Sequence, residues 1–280
     1  MIFFFENGRL GNQLIQYIGL KSYFSKERII FLGCETLFDT FDNVEALFLS
    51  KKKIDKWFHY GLLRKILFFL VRIRIFGKIT EDRQSNSYKV ISKKGFFWNI
   101  FVAENFFFRI KDIKNFTKPP LLKTHLITQA EEWLKIKGIN IKTDSVVFVH
   151  FRRGDYLHWP SKEFPAVLSL DWYKKAMSLM KEKLQNPIFI LISDDKYYLK
   201  DVFKESKTLF ISENNLEVDF SIMSLCKYGV LSASTFALCS AYYANLDKKN
   251  KTFFVAPKYW ENHRSKKNTE DHIIDFIDYI

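Results

Sequence analysis

Short apolar segments alternate with longer segments of helical spacing through the second half of the chain. Val146–Phe151 is a continuous apolar segment of strand length, whereas Leu170–Leu184 places apolar residues three and four positions apart. Strands that are apolar on both sides and alternate with helices indicate a parallel sheet covered on both faces. The expected strands are Val146–Phe151, Ile188–Ile192, Thr208–Ile211, Gly229–Leu231 and Thr252–Val255, and the expected helices are Leu170–Leu184, Leu216–Cys226 and Thr235–Asn245.

The first 50 residues show a similar α/β pattern. A Gly-containing turn and a helical segment separate two apolar segments, and a basic, Phe-rich region of about 51–140 follows. The predicted strands are Ile2–Phe5 and Arg28–Leu32, and the predicted helices are Asn12–Ser25, Leu62–Arg74 and Leu126–Ile136. The sequence therefore predicts two domains, an α/β domain over 1–142 and a Rossmann-like domain over 143–280.

Composition supports a folded protein. The chain has 280 residues, of which 48% are hydrophobic and 27% charged, and this excludes a disordered class. Three cysteines (Cys34, Cys226 and Cys239) lack metal-ligand spacing, and their odd number argues against a disulfide framework. No apolar segment approaches the roughly 20 residues of a membrane span, and the first residues lack the features of a signal peptide. We therefore expect a cytoplasmic location.

The positive charge is concentrated in one segment. The formal net charge is +13, and Lys51–Lys78 contains nine basic residues and one acid, which gives 9 − 1 = +8. Such a surface attracts nucleic acid, anionic lipid or an anionic substrate. Within it, apolar residues recur at helical spacing, with Leu63, Leu67 and Leu70 beside them: Leu62, Ile66, Phe69, Ile73 and Phe76. This stripe either lies on the inner face of an anionic cytoplasmic membrane or packs on the domain core.

Charged residues follow the first strand of the second domain. His150 and Phe151 end the strand, and Arg152, Arg153 and Asp155 come next. Ligands of parallel sheets bind beyond the carboxyl ends of the strands, and the planar arginine fork suits phosphate. The segment is therefore either a diphosphate site or a solvated turn with an ion pair between Arg153 and Asp155.

Polar residues also follow two later strands. Asp194 and Asp195 come after Ile188–Ile192, where they either bind a nucleoside or cap the next helix. Ser234, Thr235 and Phe236 begin the helix Thr235–Asn245, where backbone N–H groups and hydroxyls either hold a phosphate or cap the helix.

A third candidate lies near the N-terminus, between a strand and a helix. Gly8 and Gly11 form a Gly-x-x-Gly turn, which also contains Arg9, Asn12 and Gln13. The three polar side chains suggest that the first domain contributes to a ligand cleft. The sequence contains no Walker loop, zinc-binding His pair, nucleophile elbow or Asp-x-Asp pair, so no metal requirement is visible.

In this order, the segments resemble bacterial α-1,2-fucosyltransferases of glycosyltransferase family 11, and more distantly protein O-fucosyltransferases and α-1,6-fucosyltransferases. The resemblance covers about the first 25 residues and most of 145–260, and leaves 40–140 unmatched. It rests on the turn at Gly8–Gln13, the segment His150–Asp155, Ser193–Asp195, Asp219–Lys227, Ser234–Phe236 and Ala256–Lys258 with Trp260 nearby.

The resemblance implies a GT-B-like α/β fold, in which two Rossmann-like domains face a central cleft. It implies GDP-fucose as the donor, inversion at the anomeric carbon and no metal or other cofactor. Arg152 would hold the β-phosphate with support from Arg153 and Asp155, and His150 would lie beside the nucleotide. Catalytic roles would fall to Arg152, Asp155 and His150, and donor binding also to Arg9, Asn12, Asp194, Ser234, Thr235 and Phe236.

The resemblance also shows departures. Family members usually have Ser, two Trp and Gly after Ser-Thr-Phe, where this chain has Ala237–Ser240, and Ala233 stands where Asn is common. These changes leave the donor sugar open between fucose and another GDP-deoxy sugar such as colitose. The catalytic base also stays open between Asp155, Glu163 and no base at all.

The leading hypothesis is a fucosyltransferase acting on a terminal galactose of a bacterial surface glycan, such as O-antigen or capsule. The acceptor is then an oligosaccharide, with a lipid-linked form as one candidate. A catalytically inactive relative that binds a nucleotide or a membrane comes second. A nucleic-acid-binding protein comes third, and we do not expect nucleic acid as a partner.

Overall fold

The computed structural model describes residues 1–82, 89–103, 118–246, 251–259 and 274–280. The chain divides into two units, Met1–Leu121 and Leu122–Ile280, and each contains a six-stranded sheet. The α/β class predicted from the sequence is confirmed.

The first unit has a mostly parallel sheet in the order β4-β2-β1-β7-β5-β6, in which only the β5–β6 pair is antiparallel. Its strands are β1 (Ile2–Phe5), β2 (Ile29–Leu32), β3 (Phe41–Asp42), β4 (Leu47–Leu49), β5 (Phe76–Asp82), β6 (Lys89–Lys93) and β7 (Phe97–Ala103), and β8 (Leu121–Leu122) lies at the unit boundary. Its helices are α1 (Leu10–Tyr23), α2 (Glu35–Thr40), α3 (Lys51–Trp57) and α4 (Tyr60–Arg72).

The second unit has a fully parallel sheet in the order β11-β10-β9-β12-β13-β14. Its strands are β9 (Val146–Phe151), β10 (Ile188–Ser193), β11 (Leu209–Ile211), β12 (Tyr228–Val230), β13 (Phe253–Ala256) and β14 (Ile277–Tyr279). Its helices are α5 (Thr124–Ile136), α6 (Leu170–Lys183), α7 (Lys196–Val202), α8 (Leu216–Leu225) and α9 (Thr235–Ala244). Numbered within the unit, the order is 3-2-1-4-5-6, which is that of a Rossmann fold.

Burial explains why the strands of the second unit form where the sequence predicts them. Every residue of β9 is buried, and β10 is buried from its second residue onward. Tyr173, Met177 and Met180 of α6 pack against one face of this sheet. The strands are therefore covered on both faces, as their continuous apolar sequence requires.

The boundary between the units lies after Leu121, whereas the sequence predicts it after residue 142. The difference concerns α5, whose apolar residues Leu126, Ala130 and Leu134 are buried and which packs against α8 of the second unit. The helix was predicted correctly, but a single helical stripe does not indicate which sheet it covers.

The apolar stripe of α4 does not pack on the core as a whole. Leu67 is buried, and Leu63 and Leu70 pack beside it on the core of the first unit. Phe76, the first residue of β5, also packs there. The other members of the predicted stripe are exposed: Leu62, Ile66, Phe69 and Ile73. The interpretation that this stripe packs on the core is therefore wrong for four of its five residues.

Candidate functional site

The order of the second sheet reverses between β9 and β12, and two polar residues meet there. His150 lies at the carboxyl end of β9, and Ser232 follows β12. The His150 Nδ1 atom is 2.7 Å from the Ser232 hydroxyl, although the residues are 82 positions apart. Parallel sheets bind ligands at this reversal, so the contact marks the expected crevice.

His150 is a neutral side chain. Burial, together with the positive charge of Arg152, lowers its pKa to about 3. The ring also lies against Phe236 of α9, with 5.4 Å between the ring centroids. His150 therefore has an uncharged imidazole at neutral pH and offers no positive charge to attract a phosphate.

Arg152 directly follows β9 and lies between two carboxylates. Its Nη1 is 2.7 Å from Asp194 Oδ2, and its Nη2 forms an ion pair with Asp155. The guanidinium also lies 5.1 Å from the centre of the Tyr156 ring. These two carboxylates use two of the five N–H groups and hold the plane of the fork, so the other groups can donate to an anion.

Arg153 has a different environment. Its Nε is 3.2 Å from Asp195, and its guanidinium stacks 3.4 Å from the centre of the Tyr198 ring. Asp195 also accepts from the Tyr198 backbone N–H and so caps α7. The ion pair between Arg153 and Asp155 that the solvated-turn interpretation requires does not form in the structure, because Asp155 pairs with Arg152 and Arg153 pairs with Asp195.

Asp194 holds the arginine segment in place. Its Oδ1 accepts from the Arg153 backbone N–H at 2.9 Å, and its Oδ2 pairs with Arg152. A Cβ at Gly154 would come within 2.6 Å of Oδ2, so any larger residue there would have to displace the Asp194 carboxylate. These contacts of Asp194 position the two arginines. A contact between Asp194 and the nucleoside, as the resemblance implies, stays a prediction.

The start of α9 lies beyond the same sheet edge. Ser234 is buried, and its side chain makes no capping hydrogen bond, so simple capping does not account for this residue. Thr235 and Phe236 begin the first turn, and the N-terminus of a helix favours an anion through its backbone N–H groups and its dipole. Tyr156 connects this region to the arginine segment, because its hydroxyl donates to the Ala233 carbonyl at 2.8 Å.

Sequence reasoning assigned no role to Asp219, a buried carboxyl on α8. It accepts a hydrogen bond from Ser212, which follows β11 at the same edge of the sheet. Burial raises its pKa to about 7, and the hydrogen bond from Ser212 partly opposes that rise. An acidic residue on an otherwise apolar helix face was the signal that could have identified it.

The turn at the N-terminus of the first unit divides into structural and exposed residues. Gln13 is buried: its Nε2 donates to the Gly8 carbonyl, and its Oε1 accepts from Thr36 and the Leu37 backbone. Gly8 has φ +85°, and a Cβ there would meet the Asn12 side chain. Arg9 is exposed and Asn12 half-buried. Gln13 therefore fixes the turn, and the placement of Arg9 and Asn12 beside the donor stays a prediction.

Among the described residues, no three His, Cys, Asp or Glu side chains are grouped to hold a metal ion. In the same part of the chain, no helix is both long and apolar enough to cross a membrane. Trp260, part of the resemblance, lies outside the described residues.

Comparison with known families decides the classification. The model of glycosyl transferase family 11 matches residues 78–277, more than two thirds of the chain. The chain belongs to this family. The match includes His150, Arg152, Asp194 and Asp219 but not the N-terminal turn. The family model also covers residues 78–140, which belong to the region 40–140 that the motifs in the sequence left unmatched.

Three curated relatives give the family's range. The O-antigen biosynthesis glycosyltransferase WbnK of Escherichia coli is 27% identical over 49% of this chain and 47% of its own length. An α-1,2-colitosyltransferase of Escherichia coli is 31% identical over 43% and 42%. The galactoside α-(1,2)-fucosyltransferase 2 of Rattus norvegicus is 26% identical over 48% and 39%. The matches span less than half the length of these relatives.

The fold has a solved counterpart. The crystal structure of a glycosyl transferase family 9 protein from Veillonella parvula has a TM-score of 0.53 and 9% identity, covering 94% of this chain and 84% of its own. This similarity concerns the fold alone, and it confirms the GT-B-like class. The predicted cleft between the domains stays a prediction.

Proposed function

We propose that this member of family 11 is a glycosyltransferase that uses a GDP-deoxyhexose as donor. The observation that carries this proposal is the position of Arg152, held between Asp155 and Asp194 at the point where the sheet order reverses. A diphosphate bound there would meet the guanidinium on one side and the first turn of α9 on the other.

The proposed chemistry follows from charge. When the sugar leaves, negative charge grows on the GDP, and Arg152 with the N–H groups of Thr235 and Phe236 would stabilise it. His150 stays neutral and would contact the nucleotide by hydrogen bonding rather than by charge. The sugar would react through an oxocarbenium-like transition state with inversion, so the demand on a general base is small.

Asp155 is a weak candidate for that base. Its carboxylate is already engaged in the ion pair with the Arg152 guanidinium. Its proposed role is to orient the guanidinium. Glu163 lies in the loop after the 3₁₀ turn Gly154–Leu157 and is exposed, so an acceptor hydroxyl could approach it.

For the donor we propose L-fucose from GDP-β-L-fucose, with the 2-hydroxyl of a terminal galactose in a bacterial surface glycan as acceptor. The similarity to a galactoside α-(1,2)-fucosyltransferase supports this assignment. Colitose is the second candidate, because the relative with 31% identity is an α-1,2-colitosyltransferase.

The deciding experiment compares GDP release from GDP-fucose, GDP-colitose and GDP-mannose, with and without a β-galactoside. We expect slow release from one deoxy sugar alone and faster release with the galactoside. The anomeric configuration of the product, read by NMR, tests inversion. Thermal stabilisation by GDP without turnover of any donor would contradict the enzyme proposal and favour an inactive nucleotide-binding relative.

A further inference from the structure

Helix α4 has apolar residues on two sides. Leu67 is 7% exposed and faces the core of the first unit, whereas Leu62, Phe69 and Ile73 are 48%, 58% and 47% exposed. Together with Ile66, the exposed residues follow the i, i+4, i+7, i+11 spacing of one helix side. The second side therefore has no function in the core that the structure describes.

Exposed aromatic residues also lie near both ends of the helix. Trp57 and Phe58 lie at the end of α3, just before α4, and are exposed. At the other end, the Phe96 backbone N–H donates to the Arg74 carbonyl at 2.7 Å, and this bond attaches exposed Phe96 to the end of the helix. We call these residues the α4 surface: Trp57, Phe58, Leu62, Ile66, Phe69, Ile73 and Phe96.

Basic residues border the α4 surface. Gly61, Arg64, Lys65, Phe68, Phe69 and Arg72 line a depression of about 610 Å³. The single acid of Lys51–Lys78 has a structural role, since Asp55 accepts from the Tyr60 backbone N–H at 2.7 Å and fixes the corner between α3 and α4. The surface therefore combines exposed apolar side chains with cations that no neighbouring acid of the segment balances.

This combination discriminates between the candidate partners. A nucleic acid would use the cations but would leave the aliphatic residues Leu62, Ile66 and Ile73 exposed. A second copy of the chain would bring two segments of charge +8 together, and their repulsion disfavours that contact. An anionic bilayer accepts both features, because acyl chains cover the apolar side and headgroups meet the cations.

We propose that the α4 surface docks the protein on an anionic lipid bilayer. The helix would lie in the plane of the interface, with Ile66 and Phe69 among the acyl chains and Lys65 and Arg72 at the headgroups. Docking would need neither donor nor acceptor, so it stands or fails independently of the proposed enzyme activity.

The test is flotation of the full chain with vesicles of phosphatidylcholine alone or mixed 7:3 with phosphatidylglycerol. We expect binding to the mixed vesicles at low salt and a strong decrease at 0.5 M salt, since exposed charges are screened. Lys65→Glu with Arg72→Glu should weaken partitioning by about a hundredfold or more, because each cation near an anionic surface contributes about a factor of five and each introduced acid is repelled. Ile66→Ser with Phe69→Ser should weaken it by at least about tenfold.

Matched controls come from exposed residues of the second unit. Lys174→Glu with Lys175→Glu makes the same change of charge on α6, and Ile136→Ser with Tyr197→Ser removes two exposed apolar side chains. Neither control should change vesicle binding, and melting temperatures verify folding. Absence of binding to mixed vesicles at low salt overturns the proposal, as does an equal loss in controls and α4 variants. A dimer that Ile66→Ser with Phe69→Ser dissociates, without vesicle binding, would instead assign the surface to self-association.

Discussion

Replacing Arg152 tests the proposed site most directly. The side chain is 13% exposed, and its guanidinium faces Asp155 and Asp194 while Asp195 pairs with Arg153. The two arginines and three carboxylates sum to 2 − 3 = −1. Arg152→Ala would change this sum to −2 at the place proposed for a diphosphate, so the variant loses a donor and also repels the ligand.

These two effects have different magnitudes and different readouts. Loss of one preorganised donor to a developing charge lowers kcat by about 10²–10³-fold. A carboxylate left without its partner about 5 Å from a phosphate costs about 3 kcal/mol at an effective dielectric constant of 20, which weakens GDP binding by roughly a hundredfold. We expect Arg152→Ala to show both losses.

Arg152→Lys separates the loss of kcat from the loss of GDP affinity. Lysine keeps the charge sum at −1, so GDP affinity should fall by less than about tenfold, whereas the lost planar fork should still lower kcat by about a hundredfold. In Arg152→Ala with Asp155→Asn, the charge sum is again −1, so GDP affinity should recover but kcat should not.

The assay combines GDP titration calorimetry with GDP release from the preferred donor, and melting temperatures are measured for each protein. Arg153→Lys serves as the comparison, because the stack on Tyr198 predicts a loss of stability with a smaller loss of kcat. Near-normal kcat in Arg152→Lys, in a protein that binds GDP, would refute the assignment of Arg152 to the leaving diphosphate.

Three further variants test the surroundings of the site. Burial raises the pKa of Asp219 to about 7 in the folded protein, against about 3.9 in the unfolded chain, so the free energy of unfolding should fall as the pH rises from 4 to 7. Asp219→Asn should therefore be as stable as the parent protein at pH 4 and more stable at pH 8, by up to about 4 kcal/mol. The same difference in stability at both pH values would contradict this prediction. Burial lowers the pKa of His150 to about 3, so the stability that the neutral ring contributes is present above pH 6.5 and is lost as the pH falls. In urea unfolding, His150→Gln should reduce the loss of stability between pH 6.5 and 4. An unchanged pH dependence would show that another group titrates. Gly154→Ala places a Cβ 2.6 Å from Asp194 Oδ2 and should lower the stability by about 1–3 kcal/mol and weaken GDP binding. In the control Gly61→Ala, the nearest atom is 3.3 Å from the new Cβ, and neither loss is expected. Normal GDP affinity in Gly154→Ala would show that Asp194 can move without harm.

The sequence predicted the second unit well because its strands are apolar on both faces. Val146–Phe151 is observed with the predicted bounds, and the helix expected at 170–184 is observed at Leu170–Lys183. The hairpin of β5 and β6 was missed, since Lys78, Glu81 and Lys93 interrupt any apolar alternation. Strand prediction therefore succeeded where burial is complete and failed where one side of the strand meets solvent.

Contacts at the site were less accessible from sequence. The ion pair of Arg152 with Asp155 joins residues three positions apart and lies within one motif. The contact of His150 with Ser232 and that of Arg152 with Asp194 depend on which strands are neighbours in the sheet. Their residues were identified as candidates by their positions after strands, but their partners follow only from strand order.

Four departures of this chain from its family lie within α9. Ala237, Leu238, Cys239 and Ser240 are all fully buried, and the Ser240 hydroxyl donates to the Phe236 carbonyl within the helix. An anion at the start of α9 would meet backbone N–H groups, which are present whatever these side chains are. We therefore expect these departures to alter how α9 packs on α8 and to leave the proposed diphosphate contacts in place. We therefore expect that discrimination between the two candidate donor sugars, fucose and colitose, depends on side chains that reach the sugar rather than on these four buried residues.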